Sequence, residues 1–185
     1  DPCAEPYSKA QRTRPPIAPF PRHLSVSPRH LSASNKQGAA VAIFWAGLIC
    51  GTMDITAALI VYGRFGLAPI RLLQGIAAGL LGPRSFDGGI STALLGLLCH
   101  YVIAYSAAAV YYAASRAMPI LVEHFIGFGA LYAVAVYFFM QLVVIPLSAA
   151  SRRPFSLKMT IIGIVIHIFC VGLPISTVVW RLSKR

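Results

Sequence analysis

The sequence predicts an all-α fold. We expect a polytopic membrane protein, a four-transmembrane-helix bundle with an extra interfacial or re-entrant helix in the first loop. Hydrophobic residues make up 57% of the chain and charged residues 11%, whereas about 25% of the residues of a soluble domain are charged. The apolar residues also form long blocks, each exceeding the roughly 20 residues that cross a hydrocarbon core. The 185 residues suffice for one such domain.

Four apolar blocks, separated by residues that end helices, define a predicted transmembrane domain of residues 39–181. Glycine and proline interrupt the chain at Gly82-Pro83, Gly88-Gly89 and Pro119, and Arg152-Arg153-Pro154 precedes the last block. The predicted helices cover about residues 39–63, 89–114, 125–148 and 157–180.

The first loop contains a shorter apolar segment, residues 66–81. Arg71 and Gln74 lie inside it, three residues apart and therefore on one helix face. A spanning helix would bury the arginine at a high free-energy cost, so the segment favours an interfacial or re-entrant amphipathic helix. The alternative is a fifth crossing, which would place the two termini on opposite sides of the membrane.

Residues 1–38 form a basic tail rich in proline and serine, which we predict to be disordered. The tail contains a tandem repeat of seven residues that begins at Pro21 and again at Pro28. A proline in each unit argues against one continuous helix, and the segment has little apolar surface to offset the entropy cost of ordering. Its charge also suits an arm that binds anionic lipid.

The net charge of +11 is spread over the tail and the loops. That distribution is typical of loops that face lipid headgroups, and it argues against nucleic acid as a partner, which would require a folded basic face. Of the 16 basic residues, ten lie on the side of the two termini and six on the other side. This excess predicts that both termini are cytoplasmic.

Asp54 lies within the first predicted helix, on one face with Gly47, Gly51 and Ala58. Glycines four residues apart allow another helix to approach closely, so Asp54 is expected to point into the bundle. A lone carboxylate in hydrocarbon must be paired, hydrogen-bonded or protonated. The residue is therefore either a proton or cation site or a hydrogen-bonding group that fixes helix packing.

His100 and His167 lie about ten residues into two helices that run in the same direction, so matched depths are expected. Three interpretations stay open: ligands of a b-type haem, a proton relay with Asp54, or hydrogen bonds to neighbouring helices. Tyr137 and Gln141, four residues apart on the third helix, are candidates to line the same interior. The predicted polar cluster comprises Asp54, Gln74, His100, Tyr137, Gln141 and His167.

No enzyme motif is present in the sequence. It has no nucleotide-binding loop, catalytic triad or metal-hydrolase helix. The four cysteines show no CxxC spacing and no haem-attachment motif. We therefore expect no enzymatic activity and no cofactor. The expected partners are the lipid bilayer and, through the small-residue faces, another membrane protein or a second copy of the chain.

Several segments resemble a widespread group of small bacterial inner-membrane proteins of uncharacterised activity. These segments are Gly51-Thr-Met-Asp54, Leu73–Gly82, Phe86-Asp-Gly-Gly89 and Leu97-Leu-Cys-His100. The second half is more distantly similar to the YagU-like proteins, through Ala130-Leu-Tyr, Pro146-Leu, His167 and Trp180-Arg181.

The resemblance covers about residues 39–181, and Asp54, Gln74, His100 and His167 match positions of the first group. Unlike the YagU-like pattern, this chain has no long polar loop after the first helix. The resemblance implies a multi-pass protein of the bacterial inner membrane and implies no substrate.

Overall fold

A computed structural model describes the backbone of residues 28–150 and 156–184, with side chains from Gln37 onward. Within these residues the chain is helical and contains no strand, which confirms the predicted all-α class. A 3-10 turn covers Gly82–Phe86 and a short helical turn covers Ile120–Glu123. The longer helices are α1 (Pro28–Arg64), α2 (Pro69–Leu81), α3 (Gly89–Ala117), α4 (Phe125–Leu147) and α5 (Leu157–Ser183).

Among the described residues, four helices are long and apolar enough to cross a membrane. Only 17% to 28% of the most apolar stretch of each is buried inside the protein. Many large apolar side chains of these helices are exposed, which is unusual for a water-soluble monomer. This surface fits a multi-pass helical membrane protein. The four stretches are Gln37–Arg64, Gly89–Ala117, Phe125–Leu147 and Leu157–Ser183.

Helix α1 begins at Pro28, so residues 28–38, which the sequence assigns to the tail, are helical. The rest of the predicted tail, residues 1–27, lies outside the described residues.

The core of the bundle lies between α1, α3 and α5, with α4 packed on α5. Helices α1 and α3 are antiparallel, because Gly47 meets Tyr105 and Gly51 meets Tyr101. A Cβ atom on either glycine would overlap the facing tyrosine ring. The predicted close helix contact at the two glycines is therefore present. The core residues are Ala46, Cys50, Ala104, Ala108, Tyr111, Leu121, Val171, Ile175 and Val179.

Helix α2 forms in the segment where the sequence predicts an extra helix. Its 13 residues span about 20 Å, short of a hydrocarbon core of about 30 Å. The helix packs on the first turns of α3, where a Cβ atom on Gly96 would overlap the backbone carbonyl oxygen of Leu73. Its far end is tied to the chain after α4, since the Ala149 N–H donates to the Gly79 carbonyl at 3.0 Å. The location of α2 at a membrane interface stays a prediction.

Helices α4 and α5 each contain a π turn that ends two residues before a proline. The turn Met140–Val144 precedes Pro146, and the turn Ile168–Gly172 precedes Pro174. A proline has no N–H, and its ring clashes with the carbonyl four residues earlier. The helical turn before each proline is therefore a wider π turn. The N–H of the residue before each proline bonds the carbonyl five residues back, Met140 in α4 and Ile168 in α5.

Candidate functional site

Asp54 lies in the middle of α1 and is half-buried. Among the described residues, no side chain donates a hydrogen bond to its carboxylate and no cation pairs with it. The thiols of Cys50, on the same helix, and of Cys170, on α5, lie within electrostatic range of this carboxylate. The carboxylate therefore faces the α1–α5 contact without a strong partner.

His100 connects α3 to α1. Its Nε2 atom lies 2.8 Å from the carbonyl oxygen of Gly51, and a carbonyl only accepts, so Nε2 carries the proton. Gly51 precedes Asp54 by three residues, about 4.5 Å along the helix axis. His100 and Asp54 therefore lie within one helical turn of each other in depth.

His167 lies at the contact between α4 and α5. Its Nδ1 atom donates to the Gly163 carbonyl of its own helix at 2.9 Å. The imidazole meets the ring of Tyr137 edge-on, with 5.3 Å between the ring centroids. Tyr137 is only 7% exposed, and a Cβ atom on Gly163 would overlap its ring. The two rings are therefore packed side by side inside the bundle.

Gln74 is buried, at 2% exposure, but it lies apart from these residues. Its Nε2 atom donates to the Gly89 carbonyl at 3.0 Å and to Thr92 Oγ1 at 3.4 Å. Gly89 and Thr92 precede His100 on α3 by about 17 and 12 Å at the helical rise. Gln74 therefore fixes α2 to the start of α3 and does not join the other predicted residues.

Gln141 does not line the interior, contrary to the prediction. Its side chain is exposed. Gln141, Leu142 and Val143 are all exposed, and three consecutive residues point to different sides of a helix. Neighbouring helices therefore do not surround α4 at Gln141, although α-helical spacing puts this residue near the face of Tyr137.

The structure places four of the six predicted residues in two pairs, Asp54 with His100 and Tyr137 with His167, and we call these four residues the polar layer. Tyr137 contacts His167 directly, and Asp54 and His100 are linked through the backbone of Gly51. In the described residues, no hydrogen bond or ion pair joins Asp54 to either histidine. No group of three or more His, Cys, Asp or Glu side chains in the same part of the chain could hold a metal ion.

The two histidines differ in the nitrogen that each leaves free. A ligating imidazole offers an unprotonated nitrogen to the iron, either Nε2 or Nδ1. In His100 it is Nε2 that donates, to the Gly51 carbonyl. In His167 it is Nδ1 that donates, to the Gly163 carbonyl, so Nε2 is unprotonated in the neutral ring. Each histidine serves a different helix contact, and haem ligation stays a prediction.

Tyrosines on α3 belong to the same region, and the sequence interpretation did not include them as a group. The Tyr101 hydroxyl lies 2.9 Å from Thr52 Oγ1 across the α1–α3 contact. The spacing of Tyr101 and Tyr105 equals that of Gly47 and Gly51. Four-residue spacing of large side chains on one helix and of glycines on another was a signal present in the sequence.

The fold and the polar layer are those expected of a multi-pass helical membrane protein. No protein family, curated protein or solved structure matches this chain. The resemblance to small bacterial inner-membrane proteins therefore stays a prediction.

Proposed function

We propose that this chain is a multi-pass protein of the bacterial inner membrane, with both termini in the cytoplasm, that handles protons or a small polar ligand through the polar layer. It catalyses no reaction in this proposal. The four apolar helices support the membrane location, and the excess of basic residues on the side of the termini supports the orientation.

One observation carries the functional part of the proposal. Asp54 is the only acidic residue in the four described apolar spans, because Asp87 and Glu123 lie outside them. A carboxylate that served only packing is expected to accept hydrogen bonds from a neighbouring helix, since an unpartnered charge in hydrocarbon is costly. Asp54 accepts none from the described side chains, which leaves its oxygens available for a proton or a small donor.

The histidines suit a supporting role on either side of this carboxylate. Each ring donates one N–H to a backbone carbonyl, and in the neutral form its other nitrogen is an acceptor. An imidazole exchanges its proton near neutral pH more readily than any other unperturbed side chain. His100 is one turn from Asp54 through Gly51, and His167 precedes Cys170 by one turn on α5. Water between these groups would complete a path for protons.

Proton flux in liposomes tests this proposal. The full-length protein is reconstituted around a pH-sensitive dye, and a potassium gradient with valinomycin drives protons inward. We expect Asp54→Asn to abolish the protein-dependent flux, because the amide has nearly the same shape and cannot release a proton. Asp87→Asn is the matched control, since Asp87 is exposed and lies outside the spans. It should leave the flux unchanged.

Two results would contradict proton handling. One is a wild-type flux no greater than that of empty liposomes. The other is an Asp54→Asn variant with the wild-type flux. Thermal unfolding of both variants, followed by circular dichroism, checks that a lost flux does not reflect a lost fold. Should Asp54→Asn change only the unfolding temperature, the polar layer would serve packing alone.

A further inference from the structure

We propose that two copies of this chain associate through the outer face of α4 that carries Gln141. The side chain of Gln141 is exposed, although it lies within an apolar helix long enough to cross a membrane. The inference is independent of proton handling, because Gln141 is not part of the polar layer.

The position of Gln141 exposes its amide to hydrocarbon in the proposed membrane. The residue precedes the end of the span at Leu147 by six positions, about 9 Å at the helical rise. The side chain is too short to bring its amide to water over that distance. An amide without a hydrogen-bond partner costs several kcal/mol in an environment that offers none. No described residue supplies a partner to this side chain.

The backbone at the same position has a second unsatisfied group. The carbonyl of Gln141 would accept the N–H of residue 145 in an α-helix or that of residue 146 in a π turn. The N–H of Ile145 bonds Met140 instead, and residue 146 is a proline, which has no N–H. Two polar groups of Gln141 thus lack intramolecular partners on one turn of α4. In membrane helices, neighbouring helices commonly satisfy carbonyls that a proline leaves free.

A second copy of the chain supplies the missing partners. The amide of glutamine both donates and accepts, so under a two-fold axis each Gln141 donates to the side-chain or backbone oxygen of the other. Such self-complementary contacts are typical of two-fold dimers. Exposed apolar side chains near Gln141 along α4 would pack beside these bonds, namely Phe138, Leu142 and Val143.

Among the described residues of the four spans, no other exposed amide lies beside a carbonyl that a proline leaves free. The predicted small-residue face on α1 is covered by Tyr101 and Tyr105, as described above. On α5, Gly172 is covered by the backbone of Gly129 on α4. The exposed face of α3 is apolar apart from Ser91 and Arg116 in its first and last turns and Ser106. The Ser106 hydroxyl donates to the Val102 carbonyl of its own helix at 2.7 Å. We therefore assign association to Gln141 and not to the glycine faces.

Dilution in the bilayer tests the inference. Full-length protein carrying a donor or acceptor fluorophore at its N-terminus is reconstituted at increasing ratios of lipid to protein, and energy transfer between copies is measured. We expect Gln141→Leu to weaken association about tenfold, the usual effect of losing one or two hydrogen bonds between membrane helices. Ser106→Ala is the control, because it removes an exposed hydroxyl that is already satisfied. It should associate like the wild type.

The inference is overturned if wild-type protein shows no energy transfer above random proximity at any dilution, or if Gln141→Leu associates as tightly as the wild type. Folding does not confound the comparison, since leucine replaces an exposed amide and the helical content of both variants is measured by circular dichroism. A hybrid sample adds a second readout. Mixing wild type with Gln141→Leu should give an intermediate affinity, because only one of the two reciprocal donors is lost.

Discussion

At the scale of single residues, glycine decides how closely these helices approach. Gly129 on α4 faces Ser176 and the backbone of Gly172 on α5, so that a Cβ atom there would overlap the serine hydroxyl. Gly127 lies two residues earlier on the same helix, and nothing lies within 4 Å of the position of its Cβ. Both glycines lie in the same helix, but only Gly129 is in close contact with a neighbouring helix.

This difference gives a paired prediction. We expect Gly129→Ala to lower the free energy of unfolding by about 1–3 kcal/mol, because overpacking forces the two helices apart. Gly127→Ala should be neutral or raise it by up to about 1 kcal/mol, since alanine favours a helix over glycine. Unfolding in mixed detergent micelles with increasing SDS measures both variants. Equal effects of the two substitutions would mean that α4 and α5 are not in contact at Gly129.

At the scale of elements, one buried side chain hydrogen-bonds α2 to α3. Gln74 donates to the Gly89 carbonyl from a buried position, whereas Arg71 reaches the Phe86 carbonyl from an exposed one. A hydrogen bond of this kind contributes about 0.5–1.5 kcal/mol, and the Gly89 carbonyl keeps a second donor, the Thr92 hydroxyl at 3.2 Å. An exposed hydrogen bond contributes less, because water replaces it.

We therefore expect Gln74→Leu to loosen α2, with amide hydrogen exchange in residues 69–81 faster by about two- to tenfold, while the four long helices stay protected. Arg71→Lys is the matched control and should leave the exchange of α2 close to that of the wild type. Mass spectrometry of peptic fragments resolves the segment. Unchanged protection in Gln74→Leu would show that the contact at Gly96 alone holds α2 in place.

Particular elements show how far the sequence could predict the structure. The four long helices follow from the length of the apolar blocks, which depends on composition alone. The contact of α1 with α3 follows from the spacing of Gly47 and Gly51. The exposure of Gln141 does not follow from α-helical periodicity, because it depends on how far the neighbouring helices cover this part of α4. The separation of Gln74 from His100 depends on where α2 docks, and this is a tertiary contact.

At the scale of the whole molecule, the structure alternates the direction of four long helices, so residue 37 and the end of α5 lie at the same end of the bundle. Helix α2 leaves and returns at the opposite end, where it contacts the start of α3 and the chain after α4. Four crossings put the two termini on one side of the membrane. A fifth crossing by α2 would separate them. The proposed positions of Asp54 and Gln141 in the membrane both assume four crossings.

Labelling from one side of the membrane tests the four crossings most directly. In a variant whose four native cysteines are replaced by serine, single cysteines are introduced as Gln37→Cys, Arg84→Cys and Ser183→Cys. Each of these positions is exposed. A membrane-impermeant thiol reagent is then applied to intact cells and to opened membranes. Four crossings with cytoplasmic termini predict labelling of Arg84→Cys in intact cells, and of the other two only after the membranes are opened. Labelling of Gln37→Cys and Ser183→Cys from opposite sides would contradict the account.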